Sequence, residues 1–222
     1  MKKYLKNPLI ILIVCVAIYF SYTRISYYHI TGSVDAEKIS SIAISKKDPS
    51  VCSKIRMGFD LMPMNTTSGL QDQCYTQTAK GLRDQTICER VSATYRGNCY
   101  LDMASLLGDE SICELSSYQG MCYGWVASQK KDVKICDKVS DEPSRNRCYL
   151  ELNQAIGDIS ICENKIHTTK DKDHCYYAVL LSFFQRGKQL TPTEKQICEK
   201  VVSKDIYYEC LRYYTDSTAK NR

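Results

Sequence analysis

At 222 residues the chain has room for one domain of ordinary size or for a short run of repeats. A hydrophobic share of 44% beside 25% charged residues excludes global disorder, and 13 cysteines exclude an ordinary reduced cytosolic protein, which leaves an oxidising compartment or a metal site. The formal charge of +5 gathers at the N-terminus. Four of the 30 basic residues (Lys2, Lys3, Lys6 and Arg24) precede the first acidic one, Asp35, and the remaining 26 face 25 acidic residues, so the near-neutral body excludes nucleic acid as a partner.

The first predicted element is a membrane segment. Leu9 to Phe20 is an unbroken uncharged run behind three lysines, with Tyr4, Tyr19 and Tyr22 near its ends, where amphipathic rings favour the membrane interface. Tyr4 to Thr23 is long enough to cross a bilayer if Lys6 snorkels outward. The expected layout is therefore a cytoplasmic N-terminus over residues 1–7, a transmembrane signal anchor over 8–23, a stem over 24–34 and an extracytoplasmic domain over 35–222. A cleaved signal peptide is the competing reading. Its best site, Cys15-Val16-Ala17, leaves only Leu9 to Val14 as the apolar region, and a lipoprotein cut before Cys15 sets a bulky Val14 beside the modified residue. Every version exports the body of the chain. His29, in the stem, is read as interfacial rather than as a ligand.

Beyond residue 35 the chain repeats itself. Twelve cysteines fall into six pairs: Cys52/Cys74, Cys88/Cys99, Cys113/Cys122, Cys136/Cys148, Cys162/Cys175 and Cys198/Cys210, with Cys15 left over in the membrane segment. Val51, Ile87, Ile112, Ile135, Ile161 or Ile197 precedes the first cysteine, and Asp48, Asp84, Asp109, Asp132, Asp158 or Glu194 stands four residues before it. Tyr75, Tyr100, Tyr123, Tyr149, Tyr176 or Leu211 follows the second. Such self-similarity predicts stacked supersecondary units over about 48–82, 83–108, 109–131, 132–157, 158–187 and 188–222, a period of about 23–36 residues. Residues 35–47 read as a cysteine-free half repeat that covers the first, with Ala43 in the slot of Ala79, Ala104 and Ala127.

The two cysteine spacings differ in kind. From the second cysteine of a pair to the first of the next pair the offset is 14 residues four times running, whereas 8 to 21 residues lie within a pair. Fixed length predicts a helix and variable length a surface loop. Tyr100, Met103, Ala104 and Leu107 follow helical spacing, and Gly108 and Gly157 suit a left-handed stop. Thr86–Glu89, Ser111–Glu114 and Ser160–Glu163 match a capping box at the next helix start, and the upstream Asp offers a competing cap. After Cys175 the fixed unit gains nine residues, with Gly187 to Thr193 read as a loop and Pro192 near the next helix start. The fold class is thus all-α: disulfide-stapled helical hairpins in an α-solenoid-like array behind one transmembrane helix. The plan is similar to the secreted, disulfide-stapled Sel1-like helical repeats. The period here is shorter and the Ala-Leu-Gly-Tyr pattern is absent, so the likeness implies an architecture and no residue roles.

Spacing decides what the cysteines do. A helix between two of them holds its ends roughly 14 Å apart or more, beyond the reach of a disulfide, so the expected bonds close within each pair, in order. Zinc sites show close cysteine pairs or nearby histidines, and here the closest exported cysteines, Cys113 and Cys122, are separated by eight residues. No cofactor or metal is expected. His174 beside Cys175 resembles a nucleophile pair, but Cys175 occupies a disulfide slot. Trp125 is read as core, and Asn65 heads an N-glycosylation sequon, Asn65-Thr66-Thr67.

The expected function is noncatalytic: a membrane-anchored binding or scaffold module at the cell surface or in the periplasm, with a protein or glycan partner. Its expected surface is the loop set Arg56–Gln71 and Ser140–Asn146. The alternatives are an envelope enzyme with a site spanning several repeats, near the Phe183–Thr193 insertion, and a cysteine-rich metal-binding protein.

Overall fold

The computed structural model describes residues 12–19, 36–55, 67–186 and 192–219, and among these the chain is helical with no strand. It divides into two compact units, Met1–Met103 and Ala104–Arg222. The first described helix, α1, covers residues 12–19, all eight of them exposed. No helix among the described residues is long and apolar enough to cross a membrane, and the rest of the expected 8–23 anchor and of the 24–34 stem lies outside them. Membrane anchoring is therefore unsupported by the structure.

In the first unit, α2 (Ala36–Lys46) packs on α3 (Thr67–Leu82) and buries Ala36, Ile39, Ser40 and Ala43. Two 3-10 helices, η1 (Pro49–Lys54) and η2 (Gln85–Arg90), precede α3 and α4 (Ala93–Leu107) respectively. Cys52 of η1 is bonded to Cys74 of α3, and Cys88 of η2 to Cys99 of α4. The second unit continues with η3 (Glu110–Leu115), α5 (Gln119–Lys130), α6 (Lys134–Asp137), α7 (Glu142–Ile156), α8 (Ile159–Asn164), α9 (Thr169–Gln185), α10 (Pro192–Cys198) and α11 (Lys204–Ala219). Here Cys113–Cys122, Cys136–Cys148, Cys162–Cys175 and Cys198–Cys210 join each short helix to the long helix that follows. All twelve bonded cysteines are fully buried.

One helix-to-helix turn recurs. Lys47, Arg83, Gly108, Lys131 and Gly157 all have φ between 51° and 68°, the left-handed stop. The Asp after each of the first four donates its N–H five residues back, to the carbonyls of Ala43, Ala79, Ala104 and Ala127. In the fifth turn the Asn153 side chain accepts the Asp158 N–H instead, at 2.7 Å. Each Asp then turns its carboxylate forward: Asp48, Asp84, Asp109, Asp132 and Asp158 accept the N–H two residues on at 2.9–3.0 Å. This decides the competition left open by the sequence. The upstream Asp is the cap, and the hydroxyls of Thr86 and Ser111 donate to it rather than serving a capping box.

Three expectations are corrected. In the five pairs from Cys88 to Cys210 the segment between the cysteines is mostly helix rather than loop, because each long helix begins before its cysteine: only Val91 and Ser92 separate η2 from α4, and only residues 138–141 separate α6 from α7. α4, α7, α9 and α11 each begin six residues before their cysteine and α5 three, and the connector before them runs from two residues (91–92) to five (199–203). Thr193 is helical, since Pro192 opens α10 directly; residues 187–191 lie outside the described residues. Trp125 is exposed at 37%, because it lies off the α5 face that carries the buried Cys122, Val126 and Ala127.

The tightest helix pair is α5 against α7, and small residues set it. A Cβ on Gly120 would lie 2.4 Å from the Ser144 carbonyl oxygen, and one on Gly124 3.0 Å from that of Cys148. One turn further, Ser128 donates to the carbonyls of Gly124 and Glu151 at 2.7 and 3.2 Å, a bond that crosses the helix contact.

Candidate functional site

The recurring residues are engaged in holding the fold. The cysteine pairs have Cα separations of 5.5–5.7 Å, within disulfide range. Asn153 donates to the sulfurs of both Cys162 and Cys175 at 3.2 Å. Cys175 is thereby bonded and buried beside an exposed His174, which rules out the nucleophile pair. The tyrosines after the second cysteines are buried, and burial pushes the phenols of Tyr100, Tyr123, Tyr149 and Tyr176 upward. Tyr149 also donates to Asp137, and this bond, followed by Lys165, holds the Asp137 carboxyl below its usual range. Among the described residues no group of three or more His, Cys, Asp or Glu is placed to hold a metal ion.

The expected binding segments fare differently. Residues 56–66, with Asn65 among them, lie outside the described residues, and Gln71 clamps the end of η1 by donating to the Ile55 carbonyl at 2.9 Å. In the insertion, Arg186 donates to the carbonyls of Ser182 and Ile156 at 3.0 and 3.2 Å and stands 5.4 Å from the Phe183 ring centre. It ties two helix ends together, the last turns where a cation is favoured. Ser140–Asn146 is only partly loop: Asp141 caps α7 by accepting the Ser144 N–H at 2.9 Å, and Asn146 is 4% exposed inside the helix.

This segment borders a cleft. A hollow of about 410 Å³ lies between α7 and α9, lined by Glu142, Pro143, Asn146, Arg147, Leu150, Thr168, Asp171 and His174. Both helices present one face to it: residues 142, 143, 146, 147 and 150 recur at helical spacing, as do 168, 171 and 174. Thr168 caps α9, accepting the Asp171 N–H at 3.2 Å while donating its hydroxyl to Asp171 Oδ2 at 2.6 Å. Asn146 Nδ2 donates to the same oxygen at 2.8 Å. His174 Nδ1 donates to the Lys170 carbonyl at 2.8 Å, so the neutral ring presents Nε2 as an acceptor. Arg147 is paired with Glu151 at 2.5 Å.

Of these polar groups the sequence reading reached Glu142 and Asn146, within the Ser140–Asn146 segment, and His174, as a neighbour of Cys175, but not Asp171, Arg147 or Thr168. Asp171 and His174 do not recur between repeats, so a search for recurrence passes over them. The slot two residues before the second cysteine carries a weaker signal: it holds Asp72, Gly97, Gly120, Asn146, Asp173 and Tyr208. No protein-family model matches the chain, and no curated protein or solved structure matches it significantly.

Proposed function

We propose that the chain is an exported, noncatalytic binding module: stacked disulfide-stapled helical repeats that engage a protein partner through the α7–α9 cleft. One observation carries the reading. The residues that recur are engaged in caps, core and disulfides, whereas the cleft gathers non-recurring polar groups with unused hydrogen-bonding capacity at the surface. Six buried disulfides favour an oxidising extracellular compartment. Anchoring through residues 8–23 belongs to the same proposal and rests on the lysine-flanked apolar run alone.

Two experiments test it. Full-length protein purified without reductant and alkylated after denaturation should take up one label, at Cys15; several labels among the twelve paired positions overturn the exported module. For the binding role, the wild-type chain and a Glu142→Ala/Arg147→Ala/His174→Ala variant are compared by quantitative capture from the host envelope fraction. Loss of a specific protein from the variant supports the cleft, and an unchanged set sinks it. Resistance to alkaline carbonate extraction would support the anchor, and release into the supernatant would remove it.

A further inference from the structure

We infer that the α7–α9 cleft receives a cationic side chain of a protein partner, an arginine by preference, with its stem on Pro143 and Leu150 and its head among the carboxylates. The inference rests on the binding reading above and adds the chemistry of the ligand.

Every free polar group at the cleft is an acceptor, with the exception of Arg147. Asp171 Oδ2 holds two donors, from Thr168 and Asn146, and Oδ1 holds none. Among the described residues Glu142 has no hydrogen-bond or ion-pair partner. Asn146 is nine-tenths buried and lines the cleft; its Nδ2 is engaged on Asp171, so its Oδ1 is a buried acceptor without a donor. Such a group is costly unless a ligand or water supplies one. His174 offers Nε2, again an acceptor.

The complement of this set is a group that only donates. A guanidinium presents five N–H donors in a planar fork and no acceptor, and an ammonium presents three. Charge points the same way. Among the described residues no cation is paired to Glu142 or Asp171, and Arg147 in the cleft lining is paired with Glu151. Both helices begin here, which by itself favours an anion. That field is already met by the caps: Asp141 on α7, and Thr168 with Asp171 on α9. The half-buried Leu150 and the exposed Pro143 supply the apolar stretch that a long basic side chain covers while its head stays polar.

The test uses oxidised full-length protein, 15N-labelled, titrated with Ac-Gly-Arg-Gly-NH2, its citrulline isostere, its glutamate counterpart and spermidine. The arginine peptide should shift the Asn146 side-chain amide and the His174 ring signals saturably. Citrulline keeps the shape without the charge and should bind about fivefold more weakly, the scale of a partly exposed charge contact. Glu142→Gln should weaken arginine binding about threefold and leave the spectrum otherwise intact. It backs up Asp171→Asn, which could also disturb the α9 cap. Citrulline or glutamate peptide matching or exceeding arginine overturns the inference and leaves the binding reading standing. Spermidine binding more tightly than the peptide overturns the protein side chain as occupant, and no shift with any probe overturns both readings.

Discussion

Asp173 and Asn146 occupy one slot in successive disulfide pairs, two residues before the second cysteine, and they resolve it in opposite ways. Asp173 is 3% exposed, and both its oxygens are filled by the N–H groups of Val202 and Ser203, at 2.9 and 2.8 Å. It pins the start of α11 to α9. Asp72 does the same in the first unit: it is 7% exposed and takes the N–H and the hydroxyl of Ser92 at 2.7 and 2.6 Å. Asn146 is as buried, yet it engages a single partner, Asp171, and a cleft stands beside it. The slot is a closed peg where a carboxylate meets two donors from the next connection. Where an amide meets a carboxylate, it stays open. The open slot arises from a small departure inside a recurring structural device.

The largest expected effect comes from breaking a closed peg. Asp173→Ala leaves two backbone N–H groups without a charged acceptor and should cost about 3 kcal/mol, at about 1.5–3 kcal/mol for each hydrogen bond to a charged group, less what water recovers at the partly exposed Ser203. Urea unfolding under oxidising conditions measures it, and a loss under 1 kcal/mol would show that the peg is ornamental. Converting the open slot to the closed kind is the next test. Asn146→Asp places a second buried carboxylate against Asp171, and like charges at that range raise one carboxyl pKa. The variant should lose about 2 kcal/mol at neutral pH and regain it as pH falls and the pair takes up a proton. A variant equally stable across pH 4–8 would contradict that contact.

The cleft carboxylates also have an internal counterpart. Glu110 holds two amines, Lys130 at 2.6 Å and Lys138 at 2.9 Å, which draw its carboxyl down to about 2. Its folded pKa is depressed, so the stability it contributes is present above the unfolded value of about 4.5 and is lost as pH falls from there towards 2. Exposure to solvent limits that contribution to about 1 kcal/mol or less. Glu110→Gln should therefore flatten this part of the stability–pH curve, and added salt should do the same to the wild type; an unaltered acid limb in the variant would remove the cluster from the account. The smallest effect concerns helix ends. α5 stops on Lys131 where α7 stops on Gly157, at φ 52° and 68°. Lys131→Gly should gain about 0.5 kcal/mol by relieving the side-chain strain of that conformation, net of the added freedom of the unfolded chain. A loss in thermal melting would mean that the lysine's charge at the helix end outweighs its strain.

What the sequence made legible was what repeats. The helical class follows from fixed spacing and helical periodicity, and the disulfide-rich character from the count and placement of cysteines. Gly108 and Gly157 announced left-handed stops, whereas Lys47, Arg83 and Lys131 did not, because a cation at a helix end offsets part of the strain and leaves no compositional mark. Variable length marks a connector, but a short one: two to five residues separate the two helices of each pair from Cys88 onward, and helix fills most of the rest. Exposure of Trp125 depends on the rotation of α5, which close contact at Gly120 and Gly124 fixes, and Gly124 has no counterpart in the other cysteine pairs. Asp171 carried no signal in the sequence, and His174 stood out only as a neighbour of Cys175, for the converse reason: their significance lies in what α7 brings beside them.

The order of the disulfides has a consequence for how the chain is made. The bonded cysteines are 22, 11, 9, 12, 13 and 12 residues apart, and no pair encloses or crosses another. A chain threaded through a translocation channel from its N-terminus delivers the exported cysteines in this pairing order. An oxidase that joins each newly arrived thiol to the one before it writes the native connectivity by bookkeeping of arrival alone, with nothing left to reshuffle. Export should then proceed with equal yield in cells lacking a disulfide isomerase, and a collapse of yield there would show that the thiols wait and pair out of turn.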